Sequence, residues 1–491
     1  MKKTSFVSVS FCLALLLIFA ASCTESSDYR RAVPENALLV AKADLAQLSE
    51  NANLKDSGIL SIIRGMASLG GSELLSDFDE FVADPSCTGI DFDQPAYLFL
   101  TDDSCFGAVM SVANEADLEA TFLSKFLDLD LIGGIEKEDG VKMTNVDRTT
   151  VLAYDESCLL LCYSDNTSAA AKLRSKAIEW MGQQKEEQFL AQHDAFAENT
   201  APVTLFLSGD AYKNSDEANE LPDIIETVKM LLPKGVSLSD FDFLFAFSFE
   251  ENVAVLRAKV TSKNEKAQEA LEEYAEVFKE IDGDFLEYCA DEDVVMALNC
   301  EGKKLAAFLK QFPKIEAAIE ETAEIGFDVT QALELIDGDV MVTISDLSAN
   351  RLGFGVFVKV KDTNTIRAFI DMVTALGMNI VSKGNDEYVC YNTFTPYYIK
   401  VGNDHVIVSA QELSDLKKES RIRKSDVAGS VFYGSLSGGY LEAQSNGFLK
   451  KIEVWGTSHG EAEWRAVSDD DAGQFLEGLL NAYLWSLMSS N

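Results

Sequence analysis

Phe106-Gly107-Ala108-Val109-Met110-Ser111-Val112, followed by the run Asn114 to Phe122, aligns without a gap on Phe354-Gly355-Val356-Phe357-Val358-Lys359-Val360 followed by Asp362 to Ile370. Each copy reads as an alternating strand, a polar turn able to cap a helix, then an amphipathic helix. Flanking matches keep the same order. Gly89-Ile90-Asp91 precedes the first copy as Gly326-Phe327-Asp328 precedes the second, and Leu159-Leu160-Leu161-Cys162 follows as Val406-Ile407-Val408-Ser409 does. One strand-helix pair repeats easily by chance; three ordered matches at a nearly constant offset do not.

Two shorter segments carry a reduced version of the unit. The first has a strand at Thr204 to Leu207, a helix from Ile224 to Leu232, strands at Phe243 to Phe249 and Val253 to Val260, then a helix with Ala267, Ala270, Leu271, Tyr274 and Phe278 on one stripe. The second has strands near Ser430 to Leu436, Ile452 to Trp455 and Ala462 to Val467, then a helix opened by Ser468-Asp469-Asp470-Asp471, a capping-box pattern. The expected class is α+β: antiparallel sheets with helices packed on one face and internally duplicated strand-helix units. The expected division is a first half 34–288 (long unit 34–197, short unit 198–288) and a second half 289–491 (long unit 289–420, short unit 421–491).

Upstream of the repeat, Lys2-Lys3, an apolar core from Phe11 to Ala21 and the tail Ala21-Ser22-Cys23 read as a lipoprotein signal peptide over 1–22 with Cys23 as the lipid attachment residue. The other reading is an ordinary signal peptide cut near the small residues, with Cys23 incidental. The run is shorter than the roughly 20 residues a bilayer span requires. Residues 23–33 follow as a flexible tether. Thr24 in place of aspartate after the cysteine favours the outer membrane.

The formal charge is −40. Such a field repels nucleic acid and anionic headgroups. With 47% hydrophobic residues in 491, the composition is that of a folded chain of several domains rather than a disordered acidic one. Beyond Cys12 and Cys23, the cysteines are Cys87, Cys105, Cys158, Cys162, Cys289, Cys300 and Cys390, scattered as buried free thiols are. Cys158 and Cys162 share a strand face about 13 Å apart, too far to bond to each other.

Motifs for chemistry are absent. His193, His405 and His459 are far apart and none has a metal-binding spacing; His405, at the start of an alternating strand, reads as structural. Gly434-Ser435-Leu436-Ser437-Gly438 puts leucine where a nucleophile elbow needs serine. The acid-rich turns Asp282-Gly283-Asp284, Asp337-Gly338-Asp339, Asp91-Phe92-Asp93 and Asp128-Leu129-Asp130 do not complete a calcium loop. No catalytic residue, metal ligand or cofactor is therefore assigned.

One aromatic residue stands out. In Lys451-Ile452-Glu453-Val454-Trp455 the alternation sets Trp455 with Lys451 and Glu453, on a polar face where an indole stacks on a sugar or anchors a protein. The alternative is a ring covered by a helix. Trp464, sharing a face with Ala462 and Ala466, reads as core. The terminal segment Leu479 to Met488 is apolar nearly all round, so it is either buried on two sides or meets another chain.

Tyr29-Arg30-Arg31-Ala32-Val33-Pro34-Glu35-Asn36-Ala37, then Leu38 to Asp44 and Leu48, resembles the opening of a large uncharacterised family of bacterial lipoproteins, a domain of unknown function. The resemblance implies envelope localisation and carries over no activity. The expectation is a non-enzymatic envelope lipoprotein, held to the membrane by its anchor, that binds a glycan, a peptide or an envelope protein. An envelope hydrolase using a carboxylate pair and a structural or assembly subunit are the alternatives. Oligomeric state is left open.

Overall fold

Asn114 and Asp362 act as the caps their positions suggest. Asn114 Oδ1 accepts from the backbone N–H of Ala116 at 3.0 Å, and Asp362 Oδ1 accepts from that of Asn364 at 2.9 Å. These contacts satisfy donors that the first turn of a helix leaves open. They start the helical run 115–128 and the helix Thr363–Ala375.

The computed structural model describes residues 28–54, 60–61, 64, 72–128, 131–184, 187–212, 232–233, 235–289, 293–324, 328–347, 353–391, 396–412, 414, 416, 420–445, 447–469 and 475–480. Cys23 with its leader, the helix expected from Ile224, Gly326-Phe327, Asp470-Asp471 and the segment 481–491 lie outside them. The described residues contain helices and extensive antiparallel sheet, an α+β arrangement. The chain divides into two compact units, 1–214 with 242–256 and 470–491, and 215–241 with 257–469.

The strands of the first unit are β1 (Ala37–Ala43), β2 (Ile90–Asp91), β3 (Ala96–Thr101), β4 (Phe106–Val112), β5 (Glu136–Glu138), β6 (Val141–Asn145), β7 (Thr150–Tyr154), β8 (Cys158–Tyr163), β9 (Val203–Ser208) and β10 (Phe241–Phe249). Antiparallel pairing sets them in the order β5-β6-β7-β8-β4-β3-β1-β9-β10, with β2 on the end of β4. Asp44 caps the helix Leu45–Asn51 that leaves β1, accepting from Gln47 N at 2.9 Å. Just upstream, Arg31 bonds Asp155 at 2.5 Å and the Met181 carbonyl at 2.7 Å, so the Tyr29–Ala32 turn is tied to two distant segments.

Both faces of this sheet are covered, which corrects the expectation of helices on one face. On β4 and β8, Val109 and Leu160 join a core with Leu173, Ala177 and Trp180 of the helix Leu173–Met181. Their neighbours Met110 and Leu159 point into a second core with Leu118, Leu123 and Phe81. The reason is visible in β4: six consecutive residues from Gly107 to Val112 are buried, the signature of a strand packed on both sides. Gly107 is required there because the Phe99 ring lies across it; a Cβ would meet that ring at 2.0 Å.

The second unit holds the later part of β11 (Val253–Ser262), then β12 (Phe278–Lys279), β13 (Val294–Glu301), β14 (Ile336–Ser345), β15 (Gly353–Val360), β16 (Ile380–Gly384), β17 (Glu387–Cys390), β18 (Tyr397–Val401), β19 (His405–Ser409), β20 (Phe432–Ser437), β21 (Leu449–Gly456) and β22 (Glu461–Ser468). Its antiparallel order is β16-β17-β18-β19-β15-β14-β13-β20-β21-β22, with β12 on the end of β13. Val295, Ala297, Met341, Phe357, Ile407 and Tyr433 form its core with Phe285, Leu286 and Val427.

Trp464 is not core as its neighbours suggested. It is 37% exposed, because it pairs with Val454 on the face of the sheet opposite Tyr433 and Phe357. The described cysteines are free thiols; all are buried except the half-buried Cys87. Residues 475–480 are helical, and Leu476 packs on Ala52 and Leu54 within the first unit.

Candidate functional site

A half-open cleft of about 200 Å3 lies in the second unit, lined by Asp284, Phe285, Glu287, Tyr288, Lys359, Asp404, His405 and Ile407. Its floor comes from the sheet. Lys359 of β15 faces His405 of β19 across the ladder, and Phe357 faces Ile407 one step in. Its wall is the segment 282–288, held by the buried carboxylate of Asp339, which accepts from the backbone N–H groups of Asp282 and Asp284 at 3.0 Å each. Gly283 between them has φ of +72°, a left-handed turn suited to glycine. Thus the turn Asp282-Gly283-Asp284 is held against Asp337-Gly338-Asp339, which reads as a turn in the sequence but lies within β14, and the two build a wall.

The side chains interlock. Phe285 contacts Phe357 with ring centres 5.9 Å apart and meets His405 edge-on at 6.1 Å, while Tyr288 stacks on Phe357 at 5.0 Å. His405 Nδ1 lies 2.9 Å from Asp404 Oδ1. A carboxylate only accepts, so Nδ1–H donates and Nε2 is the acceptor of the neutral ring. The ring rests on Gly402, where a Cβ would come within 2.4 Å of it. Lys359 Nζ donates to Asp284 Oδ2 at 2.6 Å, with Lys424 Nζ 3.8 Å from the other oxygen.

Charge follows from these contacts. The His405 hydrogen bond holds the Asp404 carboxyl below the ordinary carboxylate range, assisted by the nearby Lys359. The Asp284 hydrogen bond raises Lys359. Asp404 and Lys359 are therefore ionised at neutral pH. Among the described residues lining the cleft there is no serine, threonine or cysteine. Among the described residues, no group of three or more His, Cys, Asp or Glu side chains is arranged to hold a metal ion.

The residues singled out from sequence are dispersed. Trp455 is half-buried: its Nε1–H donates to the Asp426 carbonyl at 2.7 Å, its ring lies 5.7 Å from that of Tyr433, and the Arg465 guanidinium sits 4.9 Å from its centre. Glu453 on the same face accepts from Tyr433 at 2.8 Å and pairs with Lys451 at 2.6 Å. The residues that made this face look polar are thus turned on one another. His193 lies between the rings of Phe189 and Phe206, at 4.2 and 4.3 Å. His405 is the histidine that reaches a cleft; its alternating strand gave no sign of it, because Phe285 arrives from 120 positions away in sequence, roughly.

Asp91 is anomalous. It is 2% exposed, and while Oδ1 accepts from Asp93 N at 3.2 Å, Oδ2 has no partner. Its cross-strand neighbour Ser111 is also buried with an unpartnered hydroxyl. Burial pushes the Asp91 carboxyl above its ordinary value of 3.8, so folding favours the protonated form. The penalty is absent below that value, grows as pH rises from it to the folded-state pKa, and is constant above. Asp91→Asn is accordingly expected to raise stability at neutral pH by about 1 to 3 kcal/mol. In denaturant titrations the gain should shrink as the pH is lowered; a gain that is absent at neutral pH, or unchanged on acidification, would contradict the orphaned carboxyl.

The model of one protein family, Domain of unknown function (DUF4836), matches residues 29–440. No curated protein matches the chain. Among solved structures, crystal form IV of TP0453 is similar at 12% identity and a TM-score of 0.29, covering 48% of this chain and 81% of that one. Crystal form III of TP0453 is similar at 13% identity and a TM-score of 0.29, covering 53% of this chain and 91% of that one.

Proposed function

Because the chain belongs to the family Domain of unknown function (DUF4836), which brings no assigned activity, we propose from its own residues that it is a non-enzymatic, lipid-anchored binding protein of the cell envelope. The observation that carries the binding reading is the cleft beside His405, where aromatic walls and a few fixed polar groups meet in a concave site. Anchoring at Cys23 and an outer-membrane location rest on the leader and its Ala21-Ser22-Cys23 tail. Among the described residues no helix is long and apolar enough to cross a membrane, so the acyl group is the proposed means of attachment.

The reading extends to the architecture. We take the two units as copies of one ancestral sheet-helix unit. Supporting this, β1, β3, β4, β8 and β9 of the first unit have the same pairing order as β13, β14, β15, β19 and β20 of the second. Gly107 and Gly355 fall at matching positions, each crossed by an aromatic ring: Phe99 in the first, Phe357 in the second. The second copy carries the cleft.

A titration with a panel of short oligosaccharides and peptides tests the binding reading. Saturable shifts of the His405 ring resonances are expected, together with their loss in Tyr288→Ala. Binding that leaves His405 unmoved would contradict the assignment of the cleft.

A further inference from the structure

We propose that the open face of the second unit's sheet takes up the acyl tails of a phospholipid lifted out of the bilayer; the cleft lies on the other face, so this stands apart from the binding reading above. The alternation that sends Tyr433 and Phe357 into the core sends a cross-strand row the other way, from Val356 of β15 through Val342, Met296, Gly434 and Val454 to Trp464 of β22. In the rows on either side, the same six strands present only valine, isoleucine, leucine, phenylalanine, alanine or glycine. None of these side chains is buried, and Met296 and Trp464 are 41% and 37% exposed. The aligned residues of the first unit differ: Ala108 and Met110, matching Val356 and Val358, are both buried, Met110 in the core that holds Leu118 and Leu123.

The chemistry of the face selects its occupant. Strands about 4.8 Å apart and rows about 6.8 Å apart make a patch of roughly 30 by 20 Å. At about 600 Å2 it stands at the upper end for an apolar patch on a monomer, where such patches are often functional. A standard protein interface takes about 800 Å2 from each partner and about one hydrogen bond per 100 to 200 Å2. This face is smaller and offers no side-chain donor or acceptor, while the backbone groups of its inner strands are used in the ladders on both sides. A second copy would also set its own charge of −40 against that of the first. A bilayer surface is gripped by basic side chains beside the apolar face, yet Lys450, just beyond Ile452 on β21, is engaged by Glu442 and Asp469 at 3.4 and 3.1 Å. A hydrocarbon chain has no charge to repel and no polar group to leave unpaired. One lipid tail spans half of the roughly 30 Å hydrocarbon core, about 15 Å, and so lies within the patch. Gly434 and Gly456 lower the floor between Met296 and Trp464; a Cβ on Gly456 would have only the Phe432 side chain within 4 Å.

The test uses the full chain carrying Cys23→Ser, so that no acyl group of its own competes. It is incubated with vesicles of phosphatidylcholine bearing brominated acyl chains, whose headgroup has no net charge for the −40 field to repel. After the vesicles are sedimented, lipid is expected to remain with the protein in the supernatant and its bromine to quench Trp464. Met296→Asp, at an already exposed position, should carry at least about tenfold less lipid, the scale of a carboxylate placed in hydrocarbon. Trp464→Phe should keep the lipid and lose that quenching, a readout that does not depend on the folding of the first variant. A supernatant free of lipid would overturn the proposal and leave the His405 titration unaffected. Uptake that Met296→Asp leaves intact, or quenching that Trp464→Phe leaves intact, would put the lipid elsewhere and overturn it. Protein that sediments with the vesicles would mark a bilayer contact, and a dimer dispersed by Met296→Asp without lipid uptake would mark a second copy; either result overturns the lipid assignment.

Discussion

Gly89→Ala is expected to destabilise the first unit by about 3 kcal/mol, the sum of a left-handed backbone penalty and severe overpacking. Gly89 has φ of +73°, and a Cβ there would lie 2.3 Å from both the Asn114 carbonyl oxygen and the Leu118 nitrogen. Those atoms are backbone, so no side chain can swing away. The Gly89 carbonyl accepts from Ala113 N at 2.9 Å and Asn114 N at 3.1 Å, which couples the turn before β2 to the start of the helical run 115–128. Two other glycines separate the contributions. At Gly140, φ is +90° but nothing lies within 4 Å of a Cβ, so Gly140→Ala should cost only the backbone part, about 1 to 2 kcal/mol. At Gly134 there is neither positive φ nor any neighbour within 4 Å, and alanine should be near neutral. Urea midpoints of the three variants check the ranking. Equal losses at Gly89 and Gly140 would mean that the turn does not press on the helix.

The same residue shows what sequence can reveal. Gly89-Ile90-Asp91 stood out through its place in the repeat, and the capping positions Asn114 and Asp362 could be read from strand-turn-helix order. The strands around Thr204, Phe243, Val253, Ile452 and Ala462 were legible for a related reason: alternation survives wherever one face is less buried than the other. It fails on β4, whose glycine, alanine and serine fit tight packing on both faces, so a second layer of helices was invisible. Trp464 illustrates the converse. Small neighbours suggested burial, yet the face they share is the open one.

The cleft was illegible because its parts meet through long-range contacts. Asp284 and Lys359 are joined by a hydrogen bond spanning 75 positions, and the wall is fastened by Asp339 from another strand. Nothing local marks such residues. Of the two Asp-Gly-Asp triplets read as turns, Asp337-Gly338-Asp339 lies in β14, and only the fold shows it supporting the Asp282-Gly283-Asp284 turn. Around Trp455 the polar groups engage one another: Glu453 uses Oε1 for both Tyr433 and Lys451, and the indole N–H goes to the Asp426 carbonyl.

The effect expected to be all-or-none is at Cys23. Each buried methylene contributes about 0.8 kcal/mol, so one acyl chain gives only marginal membrane binding whereas the several chains of a processed lipoprotein hold it in place. A body with a net charge of −40 gains nothing from anionic headgroups and would leave the membrane without them. Cys23→Ser should therefore move the protein from the membrane fraction to the soluble one. The most direct measurement is metabolic labelling with an alkyne fatty acid in the producing bacterium. The account predicts a labelled wild type and an unlabelled Cys23→Ser variant; an unlabelled wild type, or equal labelling of both, would contradict it.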